Sequence, residues 1–184
     1  MLLDASHLAL ATNLGRALSA RSLRVAAAES CTGGLVAAAI TAIAGSSAWF
    51  ERGFVTYSNE AKHAMLDVPT TMLEQFGAVS EPVAAAMARG ARTHSLAQCA
   101  LAVTGVAGPG GGTVAKPVGM VCFGWVVDGL REQVATFHFD GDRSTVRAES
   151  VTVALRGLLE MVERLPGANG RGQGVSGPLP DRSD

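Results

Sequence analysis

The order of apolar and polar positions along the first third of the chain predicts alternating helices and strands. Apolar residues recur every three or four positions over residues 4–20, which predicts a helix. A short apolar run over 23–28 predicts a strand, and the alanine-rich stretch over 33–44 predicts a second helix that ends near Gly45. Residues 49–58 alternate between apolar and polar and predict a second strand.

Helix-start signals dominate the middle of the chain. Asn59 is expected to cap a short helix that runs through Leu66, and Pro69 to begin another that ends at Gly77. The sequence Ser-Glu-Pro at its start predicts a longer helix over 80–95, because proline suits the first turn of a helix.

From residue 99 onward the sequence predicts three strands in succession and then a helix. A buried-type strand is predicted over 99–103, followed by a glycine-rich loop over 105–117. Strands over 118–127 and 133–139 are joined across Asp128-Gly129, which is a hairpin signal. A final helix is predicted over 143–165.

This order of elements predicts the fold class. Helices alternate with strands before a hairpin appears, which indicates a single-domain α/β protein, a three-layer α/β/α sandwich with a mixed β-sheet. The domain is expected to occupy residues 1–165. Residues 166–184 are rich in glycine, proline and polar side chains and are expected to form a disordered tail.

Composition narrows the function classes. The formal net charge of −1 gives no support for nucleic-acid binding, which needs excess lysine and arginine. No apolar run approaches the roughly 20 residues of a membrane span, and the N-terminus lacks the pattern of a signal peptide. The three cysteines, Cys31, Cys99 and Cys122, are expected to be reduced thiols in a cytoplasmic protein, and no Cys/His cluster suggests a metal.

The segment AAAESCTGGLVAAAI places Ser30 where a strand is expected to end and a helix to begin. The backbone N–H groups of Thr32, Gly33 and Gly34 are expected to be free donors there, suited to an anion or a developing oxyanion. The plain alternative is that Ser30 or Thr32 caps the helix, and spacing alone favours that alternative.

A serine nucleophile needs a base. Among the four histidines only His63 lies near other candidate groups, and arginine does not act as a base at neutral pH. The chain has two lysines, Lys62 and Lys116, and a lysine can act as a base when its neutral form is accessible. On pattern alone, a solvated helix lysine remains the favoured interpretation of Lys62.

The glycine-rich segment AVTGVAGPGGGTVAKPVG is the third candidate feature. Successive N–H groups in such a loop can form an anion-binding nest. The segment lacks the GK[ST] of a Walker A loop, and a strand follows it rather than a helix. A flexible surface loop is the alternative, but the many glycines beside Thr113 and Lys116 favour a phosphate or substrate loop.

Two other features leave their alternatives open. Arg143 and Arg147 lie one helical turn apart and suit a phosphate, but a solvated pair beside Asp140 and Asp142 is equally compatible with the sequence. Cys31 is a rival nucleophile, although no histidine is obviously placed to activate it.

Five segments in this order resemble the CinA C-terminal domain family: AESCTGG, IAGSSAWFERGFVTYSNEAK, GAVSEPVA, TGVAGPGGGTVAKPVG and GDR. The resemblance covers about residues 8–162. The enzymatic members of the family are nicotinamide-nucleotide amidases, which hydrolyse nicotinamide mononucleotide to nicotinic acid mononucleotide and ammonia with a Ser/Lys arrangement. The resemblance therefore implies a small-molecule nucleotide substrate, no metal or organic cofactor, and a homo-oligomer, expected to be a dimer.

The matching motifs also imply roles for residues. Ser30 would be the nucleophile, Lys62 its base, and Tyr57 a supporting hydrogen-bonding residue, with the Lys62 nitrogen roughly 2.6–3.2 Å from the Ser30 oxygen. The expected substrate-binding residues are Thr32, Gly33, Gly34, Thr104, Gly105, Gly108, Gly112 and, at the phosphate end, Arg143. Gly110 and Met120 depart from residues common in the family, and both are expected at the edge of the pocket.

Two other functions remain open at this point. Some relatives carry competence-related names, so a non-catalytic nucleotide-binding or regulatory module is one alternative. A thiol hydrolase that uses Cys31 is the other.

Overall fold

The computed structural model describes residues 3–166, which form six α-helices and five β-strands. The expected tail lies outside the described residues, apart from Pro166. A short 3₁₀ turn at Ser46–Ala48 precedes the second strand. In chain order the elements are α1 (Ala5–Ser19), β1 (Val25–Glu29), α2 (Leu35–Thr41), β2 (Phe50–Val55), α3 (Asn59–Leu66), α4 (Thr70–Phe76), α5 (Glu81–Thr93), β3 (Cys99–Gly105), β4 (Met120–Val127), β5 (Gln133–His138) and α6 (Arg143–Glu163).

The five strands form one mixed sheet in the order β2-β1-β3-β4-β5. Strand β1 runs parallel to both β2 and β3, whereas β3, β4 and β5 pair antiparallel. Helices α1, α2 and α6 pack on one face, and α3, α4 and α5 lie on the other. The predicted three-layer α/β/α sandwich with a mixed sheet is confirmed.

The central strand β1 divides its side chains between two cores. Val25 and Ala27 belong to the core beneath α1, α2 and α6, and Ala26 and Ala28 to the core beneath α5. Because side chains alternate along a strand, the last strand residue, Glu29, lies on the α2 side. The residue that follows it lies on the side of α3 and α5.

A close backbone contact fixes α3 against α5. A Cβ atom at Gly90 of α5 would lie 2.1 Å from the carbonyl oxygen of Leu66, so a side chain there would push the two helices apart. Glycine is therefore required for this approach. It sets the distance of α3 from the sheet.

Several element boundaries differ from the prediction because caps decide them. Ser58, and not Asn59, caps α3, since its side chain accepts a hydrogen bond from the Ala61 N–H at 3.0 Å. Helix α2 begins at Leu35 rather than at residue 33, because Gly34 has a left-handed φ of 93°. Within residues 3–166, no helix is both long enough and apolar enough to cross a membrane.

Candidate active site

Ser30 lies at the edge of the sheet where the parallel strands β1, β2 and β3 all end. This edge is where open α/β sheets leave a crevice for ligands. The Ser30 N–H donates to the Val103 carbonyl at 2.9 Å, and the residue is 8% exposed. Its side chain lines a cleft of about 310 Å³.

The Lys62 amine lies against the Ser30 hydroxyl. Its Nζ is 3.0 Å from Ser30 Oγ, within the expected range, and 2.9 Å from the carbonyl oxygen of Thr56. Lys62 is only 1% exposed, so the interpretation of a solvated helix lysine is wrong. Burial lowers the pKa of the Lys62 amine below its ordinary value, since the charged form loses hydration.

The local sequence explains why this lysine is buried. Lys62 and Leu66 are four residues apart and share one face of α3, and both are buried. Leu66 is held against Gly90, so the same face carries Lys62 toward the end of β1. Among the described residues, no carboxylate forms an ion pair with Lys62.

Glu29 is the functional-site neighbour that sequence reasoning missed. It is 1% exposed, and its carboxylate accepts hydrogen bonds from the N–H groups of Gly34 at 2.9 Å, Val36 at 3.0 Å and Ala37 at 2.8 Å. The sequence did contain a signal for it: a single acidic residue at the end of an apolar strand, directly before the turn that leads into a helix. A buried acid in such a position must find donors.

The expectation of free N–H groups at Gly33 and Gly34 is wrong. Gly33 N–H donates to the Ser30 carbonyl at 3.1 Å, and Gly34 N–H is taken by Glu29. The backbone N–H groups of Cys31 and Thr32, by contrast, bond to no other residue between 3 and 166. Of the three predicted N–H groups, only that of Thr32 lacks a partner among the described residues, and that of Cys31, which was not predicted, lacks one too.

The capping alternative for Ser30 and Thr32 is also wrong. Gly34 is the N-cap residue of α2, and no side chain of its own caps the helix. The Thr32 hydroxyl is buried and has no partner among the described residues. Its carbonyl accepts a hydrogen bond from Arg147 Nη2 at 2.7 Å, so Arg147 holds the turn and does not extend from α6 beside Arg143 as a phosphate clasp.

Arg143 connects Tyr57 to the glycine-rich loop. Its Nη2 donates to the Tyr57 hydroxyl oxygen at 3.0 Å, and its Nη1 donates to the Gly108 carbonyl at 3.0 Å. Tyr57 is 60% exposed, and its hydroxyl is bonded to this arginine rather than to Ser30 or Lys62. The tyrosine therefore supports the far end of the cleft.

Two side chains fix the walls of the cleft. Thr104 is 1% exposed and donates from its hydroxyl to the Ala78 carbonyl at 2.8 Å. Lys116 donates from Nζ to the Phe76 carbonyl at the end of α4 and does not line the cleft. This contact ties the glycine-rich loop to α4, where the helix dipole favours a positive charge.

The cleft contains most of the predicted site residues and several that were not predicted. The predicted residues that line it are Ser30, Tyr57, Lys62, Thr104, Gly105, Gly108 and Arg143. Those that do not line it are Thr32, Gly33, Gly34 and Gly112. Cys31, the rival nucleophile, also lines it, and the lining residues that were missed are Asn59, Ala78, Val79, Val106, Ala107 and Gly111. Gly110 and Met120 are the two residues that differ from those common in the family. Gly110 lines the cleft and Met120 does not.

The rival catalytic groups are poorly suited to the reaction. Burial raises the pKa of the Cys31 thiol to about 12, so the thiolate is strongly disfavoured. The His63 ring nitrogen Nδ1 lies 3.0 Å from the Val68 carbonyl, and His63 does not line the cleft. Within residues 3–166, no group of three His, Cys, Asp or Glu side chains is arranged to hold a metal ion.

The model of one family, described as the CinA C-terminal domain, matches residues 7–162. The chain belongs to the CinA C-terminal domain family. Another member, nicotinamide-nucleotide amidohydrolase PncC from Pseudomonas putida, is 53% identical over 152 residues, which cover 83% of this chain and 94% of that protein. The protein of the same name from Escherichia coli strain K12 is 49% identical over 158 residues, covering 84% and 94%.

A solved structure of a CinA-type protein has the same fold. The competence/damage inducible protein from Agrobacterium tumefaciens superposes with a TM-score of 0.85 at 43% sequence identity. The match covers 89% of this chain and 99% of that one. The chain therefore shares both sequence and architecture with the CinA C-terminal domain over almost all of its described length.

Proposed function

We propose that the chain is a nicotinamide-nucleotide amidase, which hydrolyses nicotinamide mononucleotide to nicotinic acid mononucleotide and ammonia by a Ser/Lys mechanism. Relatives about half identical over most of the chain bear the name nicotinamide-nucleotide amidohydrolase. The observation that carries the mechanism is the 3.0 Å contact between the buried Lys62 amine and the Ser30 hydroxyl inside the cleft.

In the first step, neutral Lys62 takes the hydroxyl proton as Ser30 Oγ attacks the carboxamide carbon. The lowered pKa of Lys62 favours the neutral amine that this step needs. One N–H of the amine donates to the Thr56 carbonyl, which directs the nitrogen lone pair toward Ser30. Burial thus favours the neutral form of the base, and the hydrogen bond to Thr56 positions it.

The tetrahedral intermediate carries a negative charge on the former carbonyl oxygen. The N–H groups of Cys31 and Thr32 are the next donors along the chain from Ser30. Of these two residues only Cys31 lines the cleft, and its N–H bonds to no other described residue, so this N–H would hold the oxyanion. Protonated Lys62 then gives its proton to the leaving nitrogen, and ammonia departs. Water then attacks the acyl-enzyme as Lys62 takes a proton from it. The bond between the acyl carbon and Ser30 Oγ breaks, Lys62 returns the proton to Oγ, and nicotinic acid mononucleotide leaves.

The charges of the substrate fit the two ends of the cleft. Nicotinamide mononucleotide has a cationic ring beside its carboxamide and an anionic phosphate further away. A neutral Lys62 avoids repulsion of the ring. Arg143 uses two of its N–H groups for Tyr57 and Gly108, and a guanidinium has five, so it retains donors for a phosphate.

We also propose that the chain acts in the cytoplasm as a homo-oligomer, expected to be a dimer, with residues 1–165 as the catalytic domain. The family resemblance supports this assignment. Sedimentation of the purified protein tests the oligomeric state, and a monomer at all concentrations would contradict it.

The test of the proposed function is ammonia release from nicotinamide mononucleotide by the purified protein. Ser30→Ala and Lys62→Ala are expected to lower kcat by about a thousandfold or more, because nucleophile and base act as a unit. Ser19→Ala, at an exposed serine on the last turn of α1, is the matched control and is expected to keep the parent rate. Circular dichroism and thermal unfolding establish that each variant is folded.

The alternatives predict different results. A parent protein that binds the nucleotide but releases no ammonia would identify a binding module. A Ser30→Ala variant that keeps its rate but loses it after alkylation of Cys31 would identify a thiol hydrolase.

A further inference from the structure

Glu29 is a buried acid next to the nucleophile that the mechanism above does not use. It is the last residue of β1 and is 1% exposed. Strand alternation puts its side chain on the α2 side of the sheet, away from the cleft that Ser30 lines. Among the described residues, no basic side chain forms an ion pair with Glu29.

Backbone donors alone satisfy this carboxylate. Oε2 accepts from the N–H groups of Gly34 and Val36, and Oε1 accepts from that of Ala37. Helix α2 has no side-chain cap of its own, so an acid from the preceding strand serves that purpose. The carboxylate thereby ties the end of β1 to the first turn of α2, across the turn formed by residues 30–34.

The other side of this turn is also anchored. Arg147 of α6 donates to the Thr32 carbonyl at 2.7 Å, and the Gly33 N–H donates to the Ser30 carbonyl. Together these contacts fix the peptide units between Ser30 and Gly34. They engage the donors from Gly33 onward, whereas the N–H of Cys31, a residue that lines the cleft, bonds to no other described residue.

We propose that Glu29 is a positioning residue for the amidase reaction, a conclusion that rests on the proposed function. By engaging the first N–H groups of α2, it holds Ser30 at hydrogen-bonding distance from Lys62 and keeps the N–H group of Cys31, which lines the cleft, in place for the reacting carbonyl. Its effect is on the transition state, because a displaced donor or nucleophile costs rate more than substrate affinity.

Glu29→Gln is the most direct test. Glutamine has the same shape, but its single oxygen can serve only one of the two acceptor positions. Its NH₂ group then faces a backbone N–H, two donors in conflict, and the turn must shift. We expect kcat to fall by about tenfold to a hundredfold while KM changes by less than about threefold. Glu29→Asp keeps the charge but shortens the reach, and we expect it to lower kcat in the same way.

A purely structural role would lower stability alone, so a matched control is needed. Ala38→Gly, at an exposed position of the same helix, weakens α2 by backbone entropy without touching the turn. It is expected to lower the unfolding temperature yet keep kcat per folded molecule. A second readout, the rate at which an alkyl fluorophosphonate labels Ser30, reports nucleophile activation independently of the amide substrate.

The inference is supported if Glu29→Gln loses kcat and labelling rate, per folded molecule, where Ala38→Gly loses neither. It is overturned if folded Glu29→Gln turns over and is labelled at the parent rate, or if it raises KM alone. A parent protein that is labelled but releases no ammonia would overturn only the amidase proposal, and the labelling comparison would still decide the role of Glu29. A parent that is neither labelled nor active would overturn both.

Discussion

The Lys62 amine connects catalysis with the stability of the folded chain. It is buried beside Ser30 and has no carboxylate partner among the described residues, so folding removes it from water without a compensating charge. Burial lowers the pKa of the amine in the folded protein, whereas in the unfolded chain the amine is hydrated and keeps its ordinary pKa of 10.5. The unfolded chain therefore binds more protons between the two pKa values.

This difference predicts how stability changes with pH. The free energy of unfolding of the parent protein should gain a contribution from Lys62 as pH rises from the lowered folded pKa toward 10.5, since the cost of deprotonating the buried amine disappears. In Lys62→Met this contribution is absent. The stability of the variant relative to the parent should therefore decline as pH rises through that window, as measured by urea denaturation at a series of pH values.

Lys116→Met is the matched control, because Lys116 is the other lysine of the chain, is only half-buried and does not line the cleft. Its stability relative to the parent should not show the same decline. A difference between Lys62→Met and the parent that is constant with pH would contradict the lowered pKa of Lys62.

The contact between Tyr57 and Arg143 is expected to affect substrate binding rather than the chemical step. Tyr57→Phe removes the acceptor that holds Arg143 Nη2 at 3.0 Å, and the guanidinium loses one of its two positioning contacts. We expect KM for the nucleotide to rise about three- to tenfold and kcat to stay within about threefold, because the phosphate end binds the substrate equally in ground and transition states. Steady-state kinetics measure this split, and a loss confined to kcat would place Tyr57 with the dyad instead.

The sequence predicted some of these residues better than others. The family motifs identified Ser30 and Lys62. The burial of Lys62 could not be predicted, because a lysine on a short polar helix is expected to be exposed to solvent. Glu29 was missed because its role depends on three backbone N–H groups that become donors only once α2 begins after Gly34. Local pattern identifies such residue types, but the donors and acceptors come from the tertiary fold.

The packing of α3 against α5 determines the position of Lys62, the proposed catalytic base. At an ordinary helix position, replacing glycine by alanine stabilises by about 1 kcal/mol. At Gly90 the added Cβ would meet the Leu66 carbonyl oxygen at 2.1 Å, so α3 must move away and take Lys62 with it. We expect Gly90→Ala to lower both the unfolding temperature and kcat per folded molecule, the latter by about tenfold or more.

Gly15→Ala separates these two effects. A Cβ at Gly15 of α1 would meet the Trp49 ring at 2.6 Å, so this variant should also lose stability. Its clash lies on the other side of the sheet from α3, and kcat per folded molecule should be retained. Equal losses of kcat in both variants would show that instability, rather than the position of α3, explains the effect of Gly90→Ala.

The predicted elements were right in kind and order but not at their ends. Helix α2 was predicted over 33–44 and spans Leu35–Thr41, and β1 was predicted over 23–28 and spans Val25–Glu29. Apolar periodicity defines the middle of an element, whereas caps define its ends. The shift of one residue at the end of β1 matters here, because it puts Glu29 in the strand and Ser30 directly after it.

The arrangement of the whole sheet explains why distant motifs form one site. Strands β1, β2 and β3 are parallel neighbours and end at the same edge, so the segments after them, which contain Ser30, Tyr57 and the glycine-rich loop, converge there. Arg143, the first residue of α6, also lies at that edge, where it contacts Tyr57 and Gly108. The alternation of helices and strands predicted this architecture, but not the distances between the segments.

The same arrangement predicts that the last 18 residues of the chain are dispensable for catalysis. Among residues 3–166, all those that line the cleft lie between 30 and 143, and the helix that carries Arg143 ends at Glu163. A chain that stops after Pro166 should therefore keep kcat and KM within about twofold, a difference that corresponds to less than about 0.5 kcal/mol in the transition state. Ammonia release by the full and shortened chains, at equal concentrations of folded protein, measures this directly. A shortened chain that folds but loses activity would mean that residues beyond 166 belong to the catalytic unit, and the division at 165 would then be wrong.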